Sequence, residues 1–172
     1  GGSLMIPAGT YRITAPLVIN TSSFRLFGEG GKTVIKQYTA TADTFQVGSA
    51  ATQRNGVTIE SLAIIAGATK TGGAGVAVQN SVYTRLLHLN IGAQYRGVDI
   101  YDKNFGTFVN ECVFTDSVES AIRYTSTTAA SGTNGLFLNN CVLDSAGGVQ
   151  PTIAGINWIN GEGLYAVNCE II

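Results

Sequence analysis

Five eight-residue segments of this chain align on one another without gaps: Val57 to Ile64, Thr84 to Ile91, Thr107 to Phe114, Leu136 to Leu143 and Leu164 to Ile171. Their sixth positions read Leu62, Leu89, Cys112, Cys141 and Cys169, spaced by 27, 23, 29 and 28 residues. The spacing varies where loops would enter and stays fixed inside the unit, which describes one coil of a solenoid rather than a closed globular core.

Within the unit the apolar positions are the first, third, sixth and eighth, so the two-residue alternation of a strand slips once and the chain must bend there. Ser61, His88, Glu111, Asn140 and Asn168 hold the corner. Polar side chains repeated at a corner can hydrogen-bond along the stack. A second ladder follows the first in Gly75 to Val78, Gly97 to Ile100, Ala121 to Tyr124 and Gly155 to Trp158. Its inward columns are Val76, Val98, Ile122, Ile156 and then Val78, Ile100, Tyr124, Trp158. Strands in successive coils would pair in parallel at about 4.8 Å per coil, which satisfies the backbone everywhere except at the two ends. The expected architecture is all-β, a parallel β-helix of about seven coils forming a single domain over residues 1–172.

Composition narrows the function. With 22 glycines, 3 prolines, 45% apolar and 12% charged residues, the chain is neither disordered nor a helical bundle. Ten basic residues face eleven acidic ones with no Lys/Arg run, so the charge footprint of a nucleic-acid or anionic-membrane binder is missing. No apolar run approaches the roughly 20 residues of a membrane span, and no signal-peptide pattern opens the chain. Both ends fall on strands, so the chain is expected to be a piece of a longer one.

Several residues invite chemistry that their context withdraws. The three cysteines share one inward column, but spacings near 30 residues match no zinc pattern and the odd count leaves a thiol unpaired; they are expected to be free core residues, with no metal and no cofactor. Reduced thiols point to folding in a reducing cytoplasm. His88 sits at a corner with no cysteine or second histidine beside it, which suits packing or surface. Gly28 to Thr33 resembles a phosphate loop, yet Leu26 stands where that loop needs glycine and no helix follows. Asn20 to Ser22 fits the glycosylation triplet, a frequent chance match.

The outward columns are more informative. Thr58, Arg85, Phe108, Phe137 and Tyr165 follow one another on the outside, placing three aromatics in consecutive coils. So apolar a column marks an interface or a groove. Either a neighbouring subunit or a long loop covers it, or its aromatics form a platform for sugar rings.

The opening residues carry a family resemblance. Pro7 to Tyr11 reads Pro-x-Gly-x-Tyr, Pro16 to Ile19 reads Pro-Leu-x-Ile, and the Gly28 to Gly30 turn precedes the Thr33 to Ile35 strand. These motifs closely resemble the first coils of the pectin-lyase-like superfamily, which includes pectate lyases, polygalacturonases and trimeric phage tailspike depolymerases. The resemblance implies a right-handed parallel β-helix and a polysaccharide ligand. The Asn-Thr-Asp, Asp-Asp and Gly-His-Gly signatures of polygalacturonases are absent, and so are the clustered carboxylates of a pectate-lyase calcium site. Low charge, small polar loop residues, free core cysteines and an interface column resemble tailspikes most. A homotrimer in the virion tail or another extracellular setting, folded first in the host cytoplasm, is what that resemblance implies.

Glycosidic hydrolysis needs two carboxylates flanking a groove, about 5 Å apart for retention or about 6.5–9.5 Å for inversion. Acids at one outward position of adjacent coils would lie about 5 Å apart. Asp116 and Asp144 leave the cysteine strand in neighbouring coils, and Asp99, Asp102 and Glu119 gather around the second ladder. These five are the candidate catalytic residues. Arg123, Tyr101, Phe108, Phe137 and Tyr165 are the candidate substrate contacts, with Asp99 and Arg123 reading first as a surface ion pair. Two functions stand: a depolymerase, hydrolase or lyase, that binds and cuts a bacterial surface polysaccharide, and a catalytically silent β-helix that holds glycan or spaces other domains.

Overall fold

The computed structural model describes residues 1–125, 134–144, 154–159 and 163–172. Among these residues no helix occurs and every pairing between strands is parallel. The chain winds into a β-solenoid of about five turns. The expectation of about seven coils is too high, because the strands Gly2–Met5, Gly9–Ile13 and Leu17–Ile19 begin the stack without completing the bent unit.

Two sheets face each other across the core. The first sheet runs through Gly2–Met5, Phe24–Gln37, Thr58–Ala66, Ser81–Gly92, Phe105–Asn110, Asn134–Asn139 and Leu164–Val167. The second runs from Leu17–Ile19 through Phe45–Val47, Ala74–Gln79, Arg96–Tyr101 and Ser120–Thr125 to Ala154–Ile159. Its register pairs Val76 with Val98, Val98 with Ile122 and Ile122 with Ile156, and pairs Ile100 with both Val78 and Tyr124. Both inward columns therefore run as the alternation requires. Tyr124 and Trp158 stack inside the coil with centroids 4.3 Å apart.

The bend has a single backbone cause. Ser61, His88, Glu111, Asn140 and Asn168 all adopt the left-handed conformation, with φ between 51° and 56°. Left-handed backbone is uncommon outside glycine, and asparagine is enriched there, so two of the five corners carry the most suitable side chain. One such residue turns the strand while the next side chain, Leu62, Leu89, Cys112 or Cys141, enters the core almost wholly buried. At the corner His88 Nδ1 lies 3.0 Å from Glu111 Oε2 in the next coil, with both side chains exposed on the surface.

The cysteines are free thiols. Cys112 donates to the Leu86 carbonyl at 3.5 Å and Cys141 to the Val109 carbonyl at 3.2 Å, each reaching to the preceding coil. Burial pushes the Cys112 thiol up from 9.0 to about 12. The unfolded chain loses this proton near pH 9 while the folded chain retains it, so the contribution to stability is full below pH 9 and is lost as pH rises toward 12. Urea unfolding between pH 9 and 11 should show wild-type stability falling by up to about 1.4 kcal/mol per pH unit relative to Cys112→Ala. Lys70, which burial lowers from 10.5, slopes the opposite way below that value in both proteins and cancels from the difference.

Candidate functional site

The outward face of the second sheet gathers half of the sequence-derived candidates. In register across successive coils stand Gln46, Ala77, Asp99, Arg123 and Asn157, and beside them run Gln79, Tyr101 and Thr125. Alternation along each strand puts these side chains opposite the core columns, so one sequence pattern fixes both faces.

Asp99 and Arg123 are more than a surface pair. Arg123 meets Asp99 through two parallel hydrogen bonds, Nε to Oδ1 at 2.8 Å and Nη2 to Oδ2 at 2.6 Å. Arg96 grips Glu119 in the same bidentate manner, with Nε to Oε1 at 2.8 Å, and its Nη1 reaches Asp99 Oδ2 at 3.5 Å. Arg123 Nη1 closes the ring 4.0 Å from Glu119. Asp99 is 6% exposed and Glu119 5%. Burial alone would lower the Arg123 guanidinium, but the hydrogen bonds and charge of Asp99, helped by Glu119, outweigh it and hold Arg123 above its usual value. The oxygens of both carboxylates are thus occupied by guanidinium N–H groups, an arrangement suited to joining coils.

Next to this ring lies a cleft of about 230 Å³, lined among others by Val18, Gln46, Arg54, Ala77, Gln79 and Tyr101. The small side chain of Ala77 leaves the space. Tyr101 forms one wall, its phenol raised chiefly by burial and further by the carboxylates of Asp43, Asp99 and Asp102, against a lowering by Arg123. Asp102, in a left-handed turn at the strand end with φ 60°, accepts a hydrogen bond from Gln79 Nε2 one coil away. Asp43 accepts from Gln46 Nε2 at 2.8 Å and from the Ala74 backbone N–H at 2.8 Å.

The other candidates lie elsewhere. Asp144 pairs in register with Thr115, so Asp116 is one position further on and the two do not share an outward column. Asp116 instead occupies a left-handed turn, φ 53°, beside a shallow cavity of about 370 Å³ that Lys70 also lines. Phe108, Phe137 and Tyr165 form a ladder on the first sheet, with centroids 4.8 and 4.9 Å apart and planes within 12° and 5° of parallel. Arg85 caps its lower end, 5.8 Å from the Phe108 centroid. The rings spend their faces on one another, which leaves mainly edges toward a ligand.

Asp43, Gln46, Gln79, Arg54 and Arg96 were not singled out from the sequence. The signal existed for one of them: Phe45-Gln-Val47 fits the second ladder one coil before Val76, which places Gln46 outward above Ala77.

No family model matches the sequence. No curated protein matches it either. Among solved structures, ORF18 of Geobacillus virus E2 is similar with a TM-score of 0.67 and 22% identity, over 98% of this chain and 40% of that one. The catalytic domain of a GH87 alpha-1,3-glucanase in complex with nigerose is similar with a TM-score of 0.51 and 16% identity, over 91% of this chain and 34% of that one. The shared feature is the parallel β-helix. This chain spans 40% or less of either neighbour's length.

Proposed function

We propose that this β-helix binds a bacterial surface polysaccharide along the outward face of its second sheet, as part of a phage tail protein of the pectin-lyase-like, trimeric tailspike kind. The observation that carries the reading is the cleft itself: an aromatic wall, amide side chains on two successive coils and a small floor residue, the mixture of apolar body and convergent polar groups that glycan sites use. A groove running across stacked coils also suits a chain-like ligand. The viral neighbour supports the phage setting, and the nigerose-bound glucanase supports a carbohydrate on this kind of scaffold.

Cleavage by hydrolysis or elimination is the second reading. It is favoured by Asp102, which follows Tyr101 and accepts a hydrogen bond from Gln79, two residues that line the cleft. Binding is the better supported of the two, because Asp99 and Glu119 have their oxygens engaged by arginines.

The test is incubation with host capsule or lipopolysaccharide, reading retention and chain length. Wild-type protein should retain glycan, and Ala77→Phe, which fills the cleft from a position facing away from the core, should bind about tenfold or more weakly, equivalent to about 1.4 kcal/mol. Equal retention by the variant would remove the cleft from the proposal. Shortened chains that persist in wild type and vanish in Asp102→Asn would establish the second reading.

A further inference from the structure

Gln46 and Gln79 line the cleft from adjacent coils, and each donates its amide nitrogen to a carboxylate, Gln46 to Asp43 and Gln79 to Asp102. Carboxylate oxygens only accept, so chemistry as well as geometry fixes which end of each amide faces the acid. The Oε1 atoms are left over. Neither accepts a hydrogen bond within the described residues, and neither is among the polar atoms buried without a partner, so both keep some exposure to solvent on side chains that line the cleft. Asp43 is itself immobilised by the Ala74 backbone N–H, so the first amide is oriented before any ligand arrives.

We infer that Asp43 and Asp102 are positioning residues that turn Gln46 and Gln79 into a pair of outward acceptors, making this cleft a site for a neutral sugar unit bound through two of its hydroxyl groups. The inference rests on the glycan-binding reading above and narrows its ligand. Two O–H donors of one sugar unit satisfy two fixed acceptors, and each hydrogen bond is strengthened because the amide is polarised from behind by a carboxylate. A sugar carboxylate would bring lone pairs to lone pairs, with the charges of Asp43 and Asp102 one side chain away. Arg54 is the one ionised side chain lining the cleft among the described residues, and it is the one group there that would favour an anion. Its Nη1 donates to the Gln53 carbonyl at 3.2 Å and its Nε is shut off from solvent, so a preference for a neutral sugar requires the two acceptors to outweigh the remaining Nη2.

Titrations of the whole chain with methyl glucoside and with glucuronate, followed through the side-chain amide resonances of Gln46 and Gln79, test this. The two probes share a ring and differ in the carboxylate. Methyl glucoside should shift both amides saturably and bind at least fivefold more tightly than glucuronate. Asp43→Asn is the decisive variant: its Oδ1 still serves the Ala74 N–H, so its Nδ2 faces Gln46 and the Gln46 amide must reverse. The preference should then shrink at least threefold, through weaker methyl glucoside binding. If Asp43→Asn does not fold, Gln46→Met removes the acceptor alone and should weaken methyl glucoside at least threefold.

Equal affinity for the two probes, or an unchanged ratio in Asp43→Asn, overturns the inference while leaving the glycan reading in place. If neither probe moves the cleft resonances, the inference is overturned. If host polysaccharide retention is also unaffected by Ala77→Phe, the binding reading falls with it.

Discussion

Asp99→Ala should lower the unfolding free energy by about 3 kcal/mol, the lower end of what breaking a buried ion pair costs. Removing the carboxylate strips Arg123 of both its short hydrogen bonds and leaves a guanidinium that burial already disfavours. Arg96 loses a weaker contact at 3.5 Å. Glu119 remains 4.0 Å from Arg123 and the arginine side chains keep 16% and 26% exposure, which is why the loss stays below the upper end. The signature is non-additivity: removing both partners in Asp99→Ala/Arg123→Ala should cost less than Asp99→Ala alone, because no uncompensated charge is then left behind. Urea unfolding of the two proteins and of Arg123→Ala decides it. A loss under 1 kcal/mol for Asp99→Ala would show that solvent screens the ring and that it does not tie the coils together. Asp99 would then return to the candidates for chemistry.

That ring also marks how far the sequence could be read. Periodicity located the stack, both inward ladders and the corner, because burial imposes a two-residue pattern and a bend breaks it at a fixed place. Ser61 and Asn168 could be assigned to the same turn although they share no side-chain chemistry. The same pattern placed Asp99 and Arg123 in one outward column. It gathered Glu119 around the same ladder but in no column, because Glu119 sits in the turn before Ser120–Thr125, and it missed Arg96, which precedes the Gly97 to Ile100 repeat. The Asp116 and Asp144 expectation met the opposite difficulty. Both follow the cysteine strand, at four and three residues, and in a structure with period two that single step separates a strand-end side chain from a turn residue. The cleft was illegible for a third reason. It is defined by a small side chain, Ala77, and by amides whose orientation depends on two acids outside the ladder positions, Asp43 in the same coil as Gln46 and Asp102 one coil from Gln79, none of which repeats along the chain.

Gly97→Ala should be among the most damaging small substitutions in this protein, although it adds one methyl group at a position with ordinary backbone angles. A Cβ there would lie 2.4 Å from the Ala121 carbonyl oxygen and 2.5 Å from Cδ1 of Phe114, closer than side-chain carbons come to either. The first obstacle belongs to the next strand of the second sheet, and moving it breaks the ladder between Arg96–Tyr101 and Ser120–Thr125. The second is a fully buried ring in a close-packed core. Overpacking usually costs about 1–3 kcal/mol when neighbours can shift. Here one neighbour is backbone, so a loss of about 3 kcal/mol or more is expected. Adding Phe114→Leu should recover only part of it, since the smaller side chain relieves the ring contact and leaves the carbonyl contact untouched. Thermal and urea unfolding of Gly97→Ala, Phe114→Leu and the double variant test this, and full recovery in the double variant would show that the ring alone requires glycine at this place in the coil.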